Sequence, residues 1–292
     1  MKARHLLPLL AAALISASCG GDLDMLGMFW TRSETPDQRF DQSMAYNASR
    51  GPVVVNVPED DYSVYLFTDS HVEGSTVNLD RFIDDYLGDT GTAPFCLFLG
   101  DAIDCTDNYD LFYDHIGRIL DSPRDTIFCT PGNHDIYFDQ WQAWASRFKT
   151  SSYTFEVLTH RGKDFYLSFD SSSGKLGGKQ LKWVRETLES ASGAGYRHIT
   201  VFTHTHFFKK DASQGHTSNY ELEETYELLG LFSRCGVDIV LTGHDHSRED
   251  TRFGGVDYYV FDAILDGCDS PSYAKLRYGA EGIHVEYIPV NE

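Results

Sequence analysis

The stretch Val64-Tyr65-Leu66-Phe67-Thr68-Asp69-Ser70-His71 decides the fold. Four apolar residues rich in β-branched and aromatic types make a run too short for a helix and of the right length for a buried strand. It ends abruptly in an acid, a hydroxyl and an imidazole. The same arrangement recurs down the chain. Phe95–Leu99 runs into Gly100-Asp101-Ala102-Ile103-Asp104, and Thr126–Cys129 into Pro131-Gly132-Asn133-His134-Asp135. Ile199–Phe202 leads to Thr203-His204, and Asp238–Leu241 to Gly243-His244-Asp245-His246. In an open α/β sheet, ligands bind outside the carboxyl ends of the strands. Five polar clusters placed after five buried strands therefore converge on one edge.

Helical periodicity fills the gaps between these runs. Leu79, Phe82, Ile83, Tyr86 and Leu87 share one helical face, as do Tyr109, Phe112, Ile116, Ile119 and Leu120. Leu181, Val184 and Leu188 mark a third helix, and Leu222, Tyr226 and Leu229 a fourth. Alternating strand and helix predicts an α/β domain with much parallel sheet. The tail breaks that rule. Arg252–Phe253, Val256–Phe261, Ala274–Tyr278 and Ile283–Ile288 follow one another with glycine turns, which predicts an antiparallel portion and a mixed sheet. Tyr153–Val157 and Phe165–Phe169 read as a hairpin, and Trp141 and Trp144 as packing residues of a helix over 139–148.

The first residues read as an address rather than as structure. Lys2, Arg4 and His5 precede a short apolar run from Leu6 to Ala17, with small residues up to Ser18. This is secretory signal anatomy, and the run is short for a bilayer span. The small residues directly before Cys19 resemble a bacterial lipobox, which implies that residues 1–18 are removed and Cys19 is lipidated. Stable anchoring to a membrane follows from more than one acyl chain. Gly20, Asp22 and Asp24 point to the outer membrane, facing the periplasm or the cell surface. Residues 19–58 show little periodicity and read as a tether and N-terminal extension, with a strand at Val53–Val57; the catalytic domain is assigned to 59–292.

Apolar residues make up 41% of the 292, enough for a sizeable core. The net charge of -20 repels phosphate backbones and disfavours a nucleic-acid scaffold role. It leaves a small phosphorylated substrate open, because bound cations invert the field locally. After Cys19 come Cys96, Cys105, Cys129, Cys235 and Cys268; Cys96 and Cys129 lie in apolar runs and read as core residues. One disulfide is open in an oxidising compartment, with no pairing assignable.

Asp, Asn and His side chains, with no Cys among them, suit hard to borderline metals such as Mn, Fe or Zn. Asp69, His71, Asp101, Asn133, His204, His244 and His246 are enough ligands for two ions, provided that one carboxylate bridges. In order, DSH (Asp69–His71), GDAID (Gly100–Asp104), GNHD (Gly132–Asp135), His204 and GHDH (Gly243–His246) resemble the motif set of the calcineurin-like metallophosphoesterase superfamily, over residues 69–246. The resemblance implies a mixed β-sheet sandwich flanked by helices, with the metal site at the carboxyl ends of the strands. It implies that Asp69, His71 and His246 hold one ion, that Asn133, His204 and His244 hold the other, and that Asp101 bridges. His134 would assist the leaving group while a metal-bridging hydroxide attacks phosphorus, and Asp135 would orient His134. Asp104 fits the pattern as a structural residue. Where family members often carry a Pro, this chain has His206, which is open to substrate or to metal, with His204 preferred as the ligand. Asp69-x-His71, and Asp104 in place of Tyr, argue against the purple acid phosphatase branch.

Ordinary readings cover the remaining features. His115, His160, His198, His216 and His284 read as plain loop or surface residues, and Asp60-Asp61, Asp84-Asp85 and Glu223-Glu224 as solvated surface. Lys209-Lys210 could meet a phosphate but read as surface. The function expected is hydrolysis of phosphate monoesters or diesters. The alternative is a surface lipoprotein that binds metal and phosphate without turnover; a chain of that kind tends to lose a ligand or the His134–Asp135 pair, and both are intact here.

Overall fold

A computed structural model describes residues 34–290, apart from 90, 92, 105–107, 122–125, 138–139 and 209–219. The segment 1–18 expected to be a signal, Cys19, Cys105, Lys209-Lys210 and His216 lie outside the described residues. In chain order the elements are α1 (Pro36–Arg50), β1 (Val54–Asn56), β2 (Tyr62–Phe67), α2 (Val77–Gly88), β3 (Phe95–Phe98), α3 (Tyr109–Leu120), β4 (Thr126–Cys129), α4 (Trp141–Phe148), β5 (Tyr153–Thr159) and β6 (Gly162–Ser168). Then follow α5 (Gly178–Ser192), β7 (Ile199–Phe202), α6 (Leu222–Cys235), β8 (Ile239–Thr242), β9 (Glu249–Phe253), β10 (Val256–Val260), β11 (Ser272–Gly279) and β12 (Gly282–Pro289).

The strands form two mixed sheets. One has the order β1-β5-β6-β7-β8-β10-β9 and the other β12-β11-β2-β3-β4. Parallel pairs β2–β3, β3–β4, β6–β7 and β7–β8 make the centres, where helices supply the crossovers. The expected antiparallel tail is present as the pairs β9–β10, β11–β12 and β11–β2.

Side-chain alternation along fully buried strands explains the sandwich. In β2, Tyr62, Val64 and Leu66 enter a core shared with Phe155, Tyr166, Phe202 and Leu241 of the other sheet. Tyr65 and Phe67 point the other way, onto Phe82, Phe112 and Trp144 of α2, α3 and α4. The larger sheet likewise turns Leu167, Val201 and Val240 onto Val184 of α5 and Leu228 and Phe232 of α6. Both strand faces are apolar because both are covered, which is why the runs show no polar alternation. Trp141 and Trp144 are core residues, and Cys96 and Cys129 are buried free thiols.

The N-terminal extension departs from its reading as a tether. Pro36–Arg50 is a helix, opened by a capping box in which Thr35 Oγ1 accepts from Gln38 N while the Gln38 side chain accepts from Thr35 N. Its buried face is partly polar. Arg39 donates to Asp170 at 2.7 Å, and Ser43 meets Ser151 at 3.2 Å. The strand expected at Val53–Val57 is present as β1, parallel to β5, and the flanking Val53 carbonyl and Val57 N–H also bond to β5.

Candidate metal centre

The loops after β2, β3 and β4 come from one sheet, and those after β7 and β8 from the other. They meet at the shared carboxyl edge. Leaving a strand so sharply costs backbone strain. Asp69, His71, Asp101, His244 and His246 all have positive φ, from 38° to 77°; among the described non-glycine residues only Lys149 joins them. Such conformations cost about 1–3 kcal/mol each and cluster at functional sites. Two glycines are required by close approach. A Cβ on Gly132 would lie 2.0 Å from Asp101 Oδ1, and one on Gly243 would lie 2.1 Å from Thr68 Oγ1.

Hydrogen bonds fix the ligand atoms. His71 N and Asp69 N donate to the carbonyls of Asp101 and Gly100, which locks the first loop onto the second. Asp69 Oδ2 accepts from Thr68 Oγ1 at 2.6 Å and from His244 N at 3.0 Å. Its other oxygen, Oδ1, is buried with no hydrogen-bond partner. Asp101 Oδ1 accepts from His134 N at 2.8 Å. The outer ring nitrogens are committed: Nδ1 of His71 donates to Asp104 at 2.6 Å, and Nδ1 of His204 to the Leu99 carbonyl at 2.9 Å. Both Nε2 atoms therefore face inward.

Those inward atoms meet other acceptors. His71 Nε2 lies 3.0 Å from His246 Nε2 and 3.7 Å from carboxylate oxygens of both Asp69 and Asp101. His204 Nε2 lies 3.2 Å from Asn133 Oδ1, 3.1 Å from His244 Nδ1 and 3.2 Å from Asp101 Oδ2. Lone pairs crowded this closely repel unless a cation sits among them. Without a metal, protons take that place. Against burial, which opposes its charge, His71 is pushed up to about 10 by Asp104, Asp69 and Asp101. His204 rises to about 9, again against burial, through Asp101 and Asp69. His244 is pushed down to about 4 by burial and the neighbouring His204 charge. The sets Asp69–His71–His246 and Asp101–His204–His244 each have ligand atoms within 4.8 Å of one another, as metal binding requires. The donor set and the orphaned Asp69 oxygen fit bound metal cations. His206 belongs to neither set. It is buried beside His244, with ring centroids 5.5 Å apart, and its Nδ1 has no partner.

One expected pairing is corrected. The Asp135 carboxylate accepts from the backbone N–H groups of Asp101, Gly132 and Ala102 at 2.8–3.1 Å and from the Tyr109 hydroxyl at 2.9 Å. It bolts two loops together and does not reach the His134 ring. The carboxylate beside that ring is Asp104, 3.3 Å from His134 Nδ1, and it also holds His71. Asp104 thus does more than the structural service expected of it, and only the spatial arrangement reveals this.

A double sheet with O- and N-donor loops along one edge defines a metallophosphoesterase-like α/β sandwich. Residues 62–248 match the calcineurin-like phosphoesterase family, and the chain belongs to that family of hydrolases acting on phosphate ester bonds. A search of curated proteins gave no match. Among solved structures the fold resembles GAP50, the anchor in the inner membrane complex of Plasmodium (TM-score 0.62, 11% identity, 80% of this chain and 86% of that one). It also resembles a dimetal phosphatase from Danio rerio (0.60, 13%, 79% and 97%) and the purple acid phosphatase PPD1 from yellow lupin (0.59, 15%, 80% and 52%). At these identities the likeness is one of fold.

Proposed function

We propose that the chain is a dinuclear metal-dependent hydrolase of small phosphate monoesters or diesters. The observation that carries this reading is the convergence of inward-facing imidazole nitrogens, an amide oxygen and two buried carboxylates at one point. Asp69, His71 and His246 would hold one ion, Asn133, His204 and His244 the other, and Asp101 both; Mn, Fe and Zn suit the donor set. Bound there, the ions would supply Lewis-acid polarisation of phosphoryl oxygens and acidify a water. The chain's own residues do the rest. His134 is 39% exposed at the mouth of the site, with its Nδ1 anchored near Asp104, which frees Nε2 to give a proton to the leaving oxygen. The Asp101 carboxylate, held by His134 N, fixes the ring's position relative to the site.

The competing reading, metal and phosphate binding without turnover, is disfavoured by a complete ligand set and an anchored His134. Hydrolysis of p-nitrophenyl phosphate and its bis-ester by metal-stripped and refilled protein tests this. Metal-restored turnover that Asp101→Asn lacks supports the enzyme. Two bound metals with no turnover on any ester would leave the binding protein.

The site would work outside the cytoplasm, tied to a membrane through lipidated Cys19. The basic start, apolar run and small residues before Cys19 motivate that placement. Incorporation of labelled palmitate, abolished by Cys19→Ser, is the expected result; equal labelling of both chains would sink it.

A further inference from the structure

A cavity of about 130 Å3 opens beside the candidate centre. Asn133 and His244 of the candidate centre line it together with Tyr137, Ser172, Ser173 and Thr205. No Lys or Arg is among its described lining residues, so among these none pairs with a second phosphate or a carboxylate. The hydroxyls are instead set in order. Ser172 Oγ donates to the Pro131 carbonyl and Thr205 Oγ1 to the Ser171 carbonyl, which leaves both oxygens free to accept. Ser173 Oγ accepts from Arg39, which leaves its own proton to donate. Donors and acceptors side by side match alcohol groups, which are both at once. Tyr137, 47% exposed, adds an aromatic wall 6.2 Å from the His134 ring, centroid to centroid. The volume is well under the ~300–1,000 Å3 of pockets that enclose drug-sized ligands.

The wall of this cavity is held from outside the segment that matches the family, which begins at residue 62. Arg39 of α1 is 1% exposed. Its Nε donates to Asp170 Oδ2 at 2.7 Å, its Nη2 to Ser173 Oγ at 2.9 Å and its Nη1 to the Glu34 carbonyl at 2.7 Å. Asp170 in turn accepts from Ser172 N at 3.1 Å. Gln42, on the same helix, accepts from the Trp141 indole on α4, just beyond Tyr137.

We infer that this cavity is the alcohol-side subsite of the hydrolase, taking a compact neutral polyol of glycerol to pentose size, and that Arg39 is the residue that positions its wall. This rests on the phosphoesterase reading. The test uses the metal-loaded full chain with glycerol 3-phosphate, ribose 5-phosphate and phenyl phosphate as substrates and inorganic phosphate as inhibitor, because phosphate carries no alcohol part. Wild type is expected to show a lower KM for the two polyol esters than for the phenyl ester. Ser173→Phe, which fills the cavity, is expected to lower kcat/KM for the polyol esters at least tenfold while the Ki of phosphate stays within threefold of wild type. Arg39→Lys keeps the charge but loses the fork; it is expected to raise the polyol KM severalfold with the phosphate Ki again held. Melting temperatures show whether each variant is folded, and Tyr137→Ala, at an exposed position, gives a second variant for the wall and is expected to raise the same KM. Turnover with a lower KM for phenyl phosphate, or unchanged kinetics in Ser173→Phe and Tyr137→Ala, would overturn the subsite while leaving the enzyme standing. No turnover of any ester by wild type would instead remove the reading on which the subsite rests.

Discussion

Two carboxylates 31 positions apart in the chain divide the labour around His134. Asp104 touches imidazoles, and Asp135 touches backbone. Their removal should therefore be felt in different measurements. Asp135→Ala would orphan three buried N–H groups, at about 1–3 kcal/mol each, so a large fall in melting temperature is expected. Asp104→Ala should leave melting nearly unchanged and lower metal affinity or kcat/KM by roughly 10–100-fold, the usual effect of removing a carboxylate that orients a histidine ligand. Melting curves and kinetics on the two variants check this, and the reverse pattern would refute it. Gly132→Ala belongs at the same scale: its Cβ would collide with Asp101 Oδ1, so loss of bound metal in a folded chain is expected by elemental analysis. The candidate ligands were legible in sequence because each follows a recognisable strand. The partner of His134 was not, because neighbours in a tight loop point different ways and the true neighbour arrives from the loop after β3.

At the scale of elements, α2 shows how the smaller sheet keeps its helix. Its C-cap residue, Asp89, has a charge the helix dipole disfavours. Lys275 of β11 donates to Asp89 Oδ2 at 2.6 Å and the Tyr65 hydroxyl of β2 does so at 2.7 Å. Lys275 foremost, then Tyr65 and Gly91 N, pull Asp89 down to about 2 despite partial burial. A carboxyl whose folded value lies below its unfolded one, near ~3.9, stabilises the fold fully above that pH and loses the contribution as pH falls through about 2. Asp89→Asn should thus be less stable than wild type at pH 7, with the gap narrowing between pH 4 and pH 2. Urea unfolding across that range measures it, and a constant gap would show that the pairing has no titrating role. Helices of this kind follow apolar periodicity, which is why α2, α3 and α5 could be read in advance. The helix expected at α6 is present but the face assigned to it is wrong, since Leu222 and Tyr226 are exposed and Leu228, Leu229 and Phe232 are buried. Helix α1 escaped because part of its buried face is Arg39 and Ser43, matched to Asp170 and Ser151, and polar burial leaves no hydrophobic stripe. Its signal lay instead in Thr35-Pro36-Asp37-Gln38, a cap with proline in the first turn.

For the whole molecule, the centre ties the two sheets through polar atoms, as the Tyr62–Tyr166 and Thr200–Tyr278 hydroxyl pairs do within the layer between them. Asp69, Asp101 and Asn133 come from one sheet, and His204 and His244 from the other. Metal bound to such a site favours the folded sandwich by mass action, about 4 kcal/mol at a free concentration 1,000-fold above Kd. Chelation should accordingly lower the melting temperature, and refilling should restore it. The same site must shed protons to bind. In the metal-free chain His71 titrates at about 10 and His204 at about 9, so both carry a proton at pH 7 that a ligated imidazole cannot keep. Raising the pH toward 9 lowers the proton's claim on each ring, so apparent metal affinity should climb by about tenfold per unit for every proton displaced. Metal titrations by calorimetry at pH 6.5, 7.0 and 7.5, in buffers of different ionisation heat, read the affinity and the released protons together. Binding that neither releases protons nor strengthens with pH would mean that the inward nitrogens are not the ligands, and the assignment of both ions to this edge would fall with them.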